Sequence, residues 1–174
     1  MTERYIKYTP RSGTEMLKAA PPNTGLYMYS KLASDPRPAL EIFKSMKRNS
    51  IILLQDPDDM HTGHWISLSF HPEKHEAYFF SSYGGVPDKE KIKWIPKSDR
   101  MKSGQMRNFI SDGLKQLYKC GWKIYYNDKP YQIPSDKTAT CGIWTVAFLN
   151  DGRNPDEFAK HSKSVEAYYR KYFS

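Results

Sequence analysis

Two side chains in this sequence have the chemistry of a nucleophile and its base. Cys141 opens the apolar run CGIWTVAFL after the polar stretch SDKTAT, and His64 heads the run HWISLSF. A cysteine in that position is either a small buried hydrophobe or a nucleophile, and its setting separates the two. If a helix begins at Cys141, the sulfur lies at the positive end of the helix dipole, beside unsatisfied backbone N–H groups that favour thiolate. Gly142 would leave room for a substrate backbone, while Ile143, Trp144, Val146, Phe148 and Leu149 would anchor the helix in the core. A thiolate nucleophile also needs a proton acceptor. Of the five histidines, His64 precedes a core strand after the DMHTG loop, whereas His61, His71, His75 and His161 lie in polar, loop-like surroundings. Without Cys141, His64 reads equally well as a strand-end histidine with a structural hydrogen bond. His61 and His64 lack a convincing set of further ligands, so no metal site is expected.

The elements that must position these groups follow from periodicity. Leu40, Phe43 and Met46 share a helical face, and IILLQ after them reads as a buried strand. WISLSF and AYFF are two strands; with HPEK as a four-residue loop, Phe70 faces His75, Leu68 faces Ala77, Ile66 faces Phe79 and His64 faces Ser81. Met106, Phe109, Ile110, Leu114, Leu117 and Tyr118 recur at spacings of three and four and predict an amphipathic helix. KIYY predicts a further strand, the Cys141 segment a helix, NPDE at 154–157 a capped helix start, and 165–172 a final helix. Residues 1–35 mix Pro, Gly and Ser and read as a wrapping arm with little regular structure. The sum is a single α+β domain with a mixed sheet flanked by helices.

A chain of 174 residues suits one core. No run is long and apolar enough for a bilayer span, so no membrane partner is expected. The opening MTERYIKYTPRSG lacks a secretory apolar stretch, and with only Cys120 and Cys141 no disulfide framework is expected. The net charge of +8 is densest at 89–102 and 160–171. Such an excess favours polyanions through counterion release, so nucleic acid is a plausible partner, and a merely soluble basic surface an equal one.

The pattern HW at 64–65, YFFSSYGG at 78–85, QIP at 132–134 and CG at 141–142 resembles the adenovirus maturation protease family. It is similar more broadly to the cysteine peptidases that include the SUMO-specific proteases. The resemblance covers roughly residues 50–150, taken as the catalytic core, and implies a papain-like or adenain-like domain. It is closest in character to the capsid-maturation proteases of adenovirus-like viruses, virophages and polinton-type elements. It implies Cys141 as nucleophile, His64 as general base and Gln132 as an oxyanion-hole donor alongside the backbone N–H of Cys141. Trp65 would shield the pair from water. Where the family has an acid, this sequence has Ser81, which the hairpin register independently sets beside His64. A serine can orient the ring without supplying charge, and in a Cys–His pair the thiolate supplies that charge, so a dyad with Ser81 as orienter is expected. Ser82, Asp58 and Asp59 are alternatives. The resemblance also implies that Cys120 can form a disulfide with an activating peptide; a half-buried thiol at a helix end is the simpler reading.

The implied reaction is endopeptidase cleavage of capsid or other virion proteins at Gly-containing sites during particle maturation, by a monomer needing no cofactor, with DNA or a peptide as activator. The implied location is the virion and the cytoplasm or nucleus where virus assembles. A ubiquitin- or SUMO-directed isopeptidase, an acetyltransferase on the same scaffold and an inactive nucleic-acid-binding homologue are the competing readings.

Overall fold

The run SIILLQ carries no polar alternation, as a strand buried on both faces requires, and it becomes the second strand of a five-stranded sheet. The computed structural model describes residues 10–132 and 139–174. In chain order the described elements are α1 (Gly13–Ala19), β1 (Gly25–Met28), α2 (Tyr29–Ala33), α3 (Ala39–Ser45), β2 (Asn49–Asp56) and β3 (Asp59–His71). A 3-10 turn (Pro72–Lys74) leads to β4 (Glu76–Ser81), α4 (Lys89–Trp94), α5 (Lys97–Lys102), α6 (Phe109–Lys119) and β5 (Lys123–Tyr126). Last come α7 (Cys141–Asp151), α8 (Pro155–His161) and α9 (Val165–Tyr172). The sheet runs β1 to β5 in sequence order, antiparallel in its centre and parallel at both edges. This is a mixed sheet of the α+β class.

Both faces are covered. Ile52, Leu54, Ile66, Leu68 and Phe79 pack against α2, α3 and α6. Ile51, Leu53, Trp65, Tyr78 and Phe80 pack against α7, α8 and α9. Every residue of α7 from Cys141 to Leu149 is buried, which explains why that segment is apolar all round. Phe148 alone, stacked 4.6 Å from Phe80, accounts for about 1.5–3 kcal/mol of burial.

The structure corrects three sequence expectations. Within 1–35, residues 13–33 form a helix, an edge strand and a second helix, because Leu26 and Met28 find a partner strand in β2 and an apolar cluster to pack on. The amphipathic helix starts at Phe109, and Met106 stays outside it and 40% exposed. The hairpin register is two residues out. His71 pairs with Glu76, and Pro72–Lys74 plus His75 in a left-handed conformation (φ 52°) make the turn. Ser81 therefore faces Ile66, not His64. A slip of two keeps every side chain on its expected face, so the strands bury the same residues.

Candidate active site

β4 ends at Ser81, opposite Ile66, while β3 extends two residues further, to Trp65 and His64 and beyond, beside β2 alone. That unpaired edge is where the site assembles. Ser81 is diagonal to His64 on the same sheet face, and its Oγ lies 2.9 Å from His64 Nε2. Its backbone is pinned by Asn127, which donates from Nδ2 to Ser81 O (2.6 Å) and accepts from Ser81 N–H (3.2 Å), extending the β4–β5 pairing past its last residue. The imidazole is 9% exposed and is stacked on the Tyr83 ring, centroids 3.9 Å apart and 5° from parallel. Gly63, just before it, has φ +152°, and a Cβ there would meet Leu54 O at 2.0 Å, where β2 and β3 shift register. Only glycine fits that approach.

The acid is Glu90. Its Oε2 lies 3.2 Å from His64 Nε2, close enough for an ion pair but without hydrogen-bond alignment, so both Glu90 oxygens stay buried without a donor. Ser81 does stand at His64, and Glu90 stands there with it, so Nε2 faces a hydroxyl and a carboxylate together. The alternatives fall elsewhere. Asp58 and Asp59 sit at the exposed β2–β3 turn, and Ser82 binds Gln132. Glu90 reaches His64 because α4 is clamped by a buried polar network. Asp88, at φ +68° just before α4, accepts from Tyr29 Oη at 2.5 Å and from Ser111 N–H at 2.8 Å. Lys91, 1% exposed, donates to Arg107 O at 2.9 Å and lies over the Tyr29 ring. Burial lowers the Lys91 ammonium to about 8.

Cys141 stands at the start of α7, 8% exposed. Burial pushes its thiol up, but hydrogen bonding and attraction to His64, with backbone N–H groups of Trp65 and Gly142, outweigh that and lower it. Burial likewise pushes His64 down, and Cys141 and Glu90 together overcome it and raise the imidazole to about 9. Nε2 is taken by Ser81 and Glu90, while Nδ1 is buried with no hydrogen-bond partner, which leaves it as the nitrogen available to the sulfur. The chain holds this geometry through one residue. Trp65 has no β4 partner, so its N–H serves the sulfur while its C=O accepts from Thr145 Oγ1, one turn along α7 (3.2 Å). The Trp65 indole donates to Arg11 O (3.0 Å) and is 5% exposed. The space expected at Gly142 for a substrate backbone is filled by the chain itself: a Cβ there would meet Met16 Sδ at 2.8 Å and Arg11 Cγ at 3.2 Å.

Gln132 reaches the same place from the other side. Its Oε1 accepts from the N–H (3.2 Å) and hydroxyl of Thr140, the residue before Cys141, and its Nε2 donates to Ser82 Oγ at 2.8 Å. Among the described residues Ser82 is the acceptor for Nε2, which has two hydrogens. Ser81, the last residue of β4, thus serves the imidazole, and Ser82, the first of the following turn, the amide. Ile133 and Pro134 of the QIP motif lie outside the described residues. Cys120 is an exposed free thiol at the end of α6. Among the described residues no group of three or more His, Cys, Asp or Glu is placed to hold a metal ion, and no helix is long and apolar enough to cross a membrane.

Sequence reasoning missed Glu90 and Tyr83. Tyr83 stood inside the motif YFFSSYGG, but nothing in the pattern told it from a turn residue. Glu90 lies in DKEKIKW, where one acid among lysines has the look of a solvated helix face.

No family model matches the chain. It is similar to the uncharacterized protein V9 of Sputnik virophage, 36% identical over 109 residues, which are 62% of this chain and 59% of that protein. The chain thus spans about three fifths of the length of the relative it matches. The similarity suggests a virophage origin.

Proposed function

We propose that the chain is a cysteine endopeptidase that cleaves capsid or other virion proteins at Gly-containing sites during particle maturation. The observation that supports it most is one buried imidazole with the Cys141 thiol as one partner and the Glu90 carboxylate, with Ser81, at Nε2. In the resting site the thiolate and imidazolium form a pair. The sulfur attacks the scissile carbonyl carbon, and the developing oxyanion takes hydrogen bonds from the Cys141 backbone N–H and an amide hydrogen of Gln132. Collapse breaks the C–N bond as Nδ1–H protonates the leaving amine, leaving a thioester. Water then gives its proton to Nδ1 and attacks the thioester; the acid leaves and the ion pair is restored. Glu90 holds the positive charge on the ring and Ser81 fixes its tilt.

The test offers capsid-protein peptides with Gly-containing sites beside ubiquitin-like modifier fusions, and acetyl-CoA with an acceptor peptide. The proposal expects peptide cleavage that disappears in Cys141→Ala. Release of modifier alone, or label transfer from acetyl-CoA without cleavage, would replace it with an isopeptidase or an acyltransferase. No turnover, together with tight DNA binding, would leave a nucleic-acid-binding protein.

A further inference from the structure

Beside His64 and Glu90 lies a groove of about 490 Å³, within the size range of ligand clefts, lined by Leu54, Asp56, Pro57, Trp94 and Ile95. Its character opposes that of the whole chain. The chain carries +8, yet among the described residues no lysine or arginine lines the groove, whereas Asp56 and Glu90 do, and Lys93 stands at its rim, over Trp94. Asp58 and Asp59 follow in the adjoining turn, and among the described residues none of the three aspartates pairs with a lysine or arginine. Glu90 adds two buried carboxylate oxygens without a hydrogen-bond donor. Trp94, one turn along α4 from Glu90, adds an open apolar surface to the groove and is 54% exposed. Lys93 Nζ lies 5.1 Å over the Trp94 ring, which marks that ring as a face where a cation can rest.

Resting on the endopeptidase reading, we propose that this groove selects peptides with a lysine or arginine next to an apolar or aromatic residue close to the scissile bond, and that Asp56 is the specificity-determining carboxylate. The apolar side chain lies against Trp94 and Ile95. The basic one extends along that wall to Asp56, with Asp58 and Asp59 adding long-range attraction. Asp56 is exposed, so the selection is electrostatic and weakens with salt.

The experiment is a positional-scanning peptide library incubated with the full chain, its cleavage products read by mass spectrometry, in the native protein and in Asp56→Asn and Asp56→Lys. The neutral variant keeps an acceptor for the Asp58 N–H that Asp56 Oδ1 now caps at 2.9 Å. The expected result is a preference for Lys over Glu of roughly fivefold or more in kcat/KM at one position, the effect of one exposed charge pair. That ratio falls towards one in Asp56→Asn and inverts in Asp56→Lys. Alkylation of Cys141 by iodoacetamide, run in parallel, reports whether the nucleophile is intact. Cleavage with equal use of Lys and Glu, or a preference that survives Asp56→Lys, overturns the groove assignment and leaves the endopeptidase standing. Absence of any cleavage, with Cys141 no more reactive than Cys120, overturns both.

Discussion

His64 carries two opposing demands: burial favours a neutral ring, while Cys141 and Glu90 favour the imidazolium, and the partners win. The sign of the pH dependence follows. Activity rises on the acid side as Cys141 ionises below the usual thiol range, holds across neutral pH, and falls as His64 loses its proton near 9. Alkylation rates measured against pH check this; a single rise centred at an ordinary thiol value would contradict it. Ser81→Ala removes an orienting contact but no charge, so it should cost about tenfold or less in kcat and leave the alkaline limb in place, and a pH-dependent kcat series measures both. The placement of Cys141 at a helix start and of His64 on a core strand was legible because each position has a local signature. Ser81 was legible through the period of the strand, even with the register two residues out. Glu90 was not, because its partner is distant in sequence and its neighbours are lysines.

At the scale of elements, the site depends on a strand that outruns its neighbour and a helix that closes the gap. Gly63 is where that strand bends past β2. Gly63→Ala forces a Cβ onto Leu54 O, so it should destabilise the fold by about 1–3 kcal/mol and slow Cys141 alkylation by displacing His64. Thermal unfolding and labelling together test this; an unchanged melting temperature would show that β2 and β3 do not approach so closely. The helices and central strands were readable from 3.6- and 2-residue periods. The edge strand β1 was not, since GLYM is four residues long and owes its pairing to β2. The hairpin turn eluded sequence reasoning for a related reason: a 3-10 turn closed by a left-handed histidine has no Gly or Asn to announce it.

For the whole molecule, the surplus of cations sits on the same chain as an acidic groove. If DNA is an activator of the proposed peptidase, added duplex DNA should speed its turnover, an effect lost steeply between about 50 and 200 mM salt. Turnover indifferent to DNA and salt would remove nucleic acid from the account. The overall architecture was readable as one α+β domain because 174 residues and continuous alternation of elements leave room for one sheet. The central claim is that Cys141, His64 and Glu90 act as one unit. Its most direct test is the rate of intact-mass labelling of Cys141 by a peptide vinyl sulfone ending in Gly, in the native chain, His64→Ala and Glu90→Gln. The account predicts rapid labelling of the native chain, near-complete loss in His64→Ala, and a fall of about 10²-fold in Glu90→Gln at neutral pH. Labelling of Cys141 no faster than of Cys120, and indifferent to both substitutions, would contradict it.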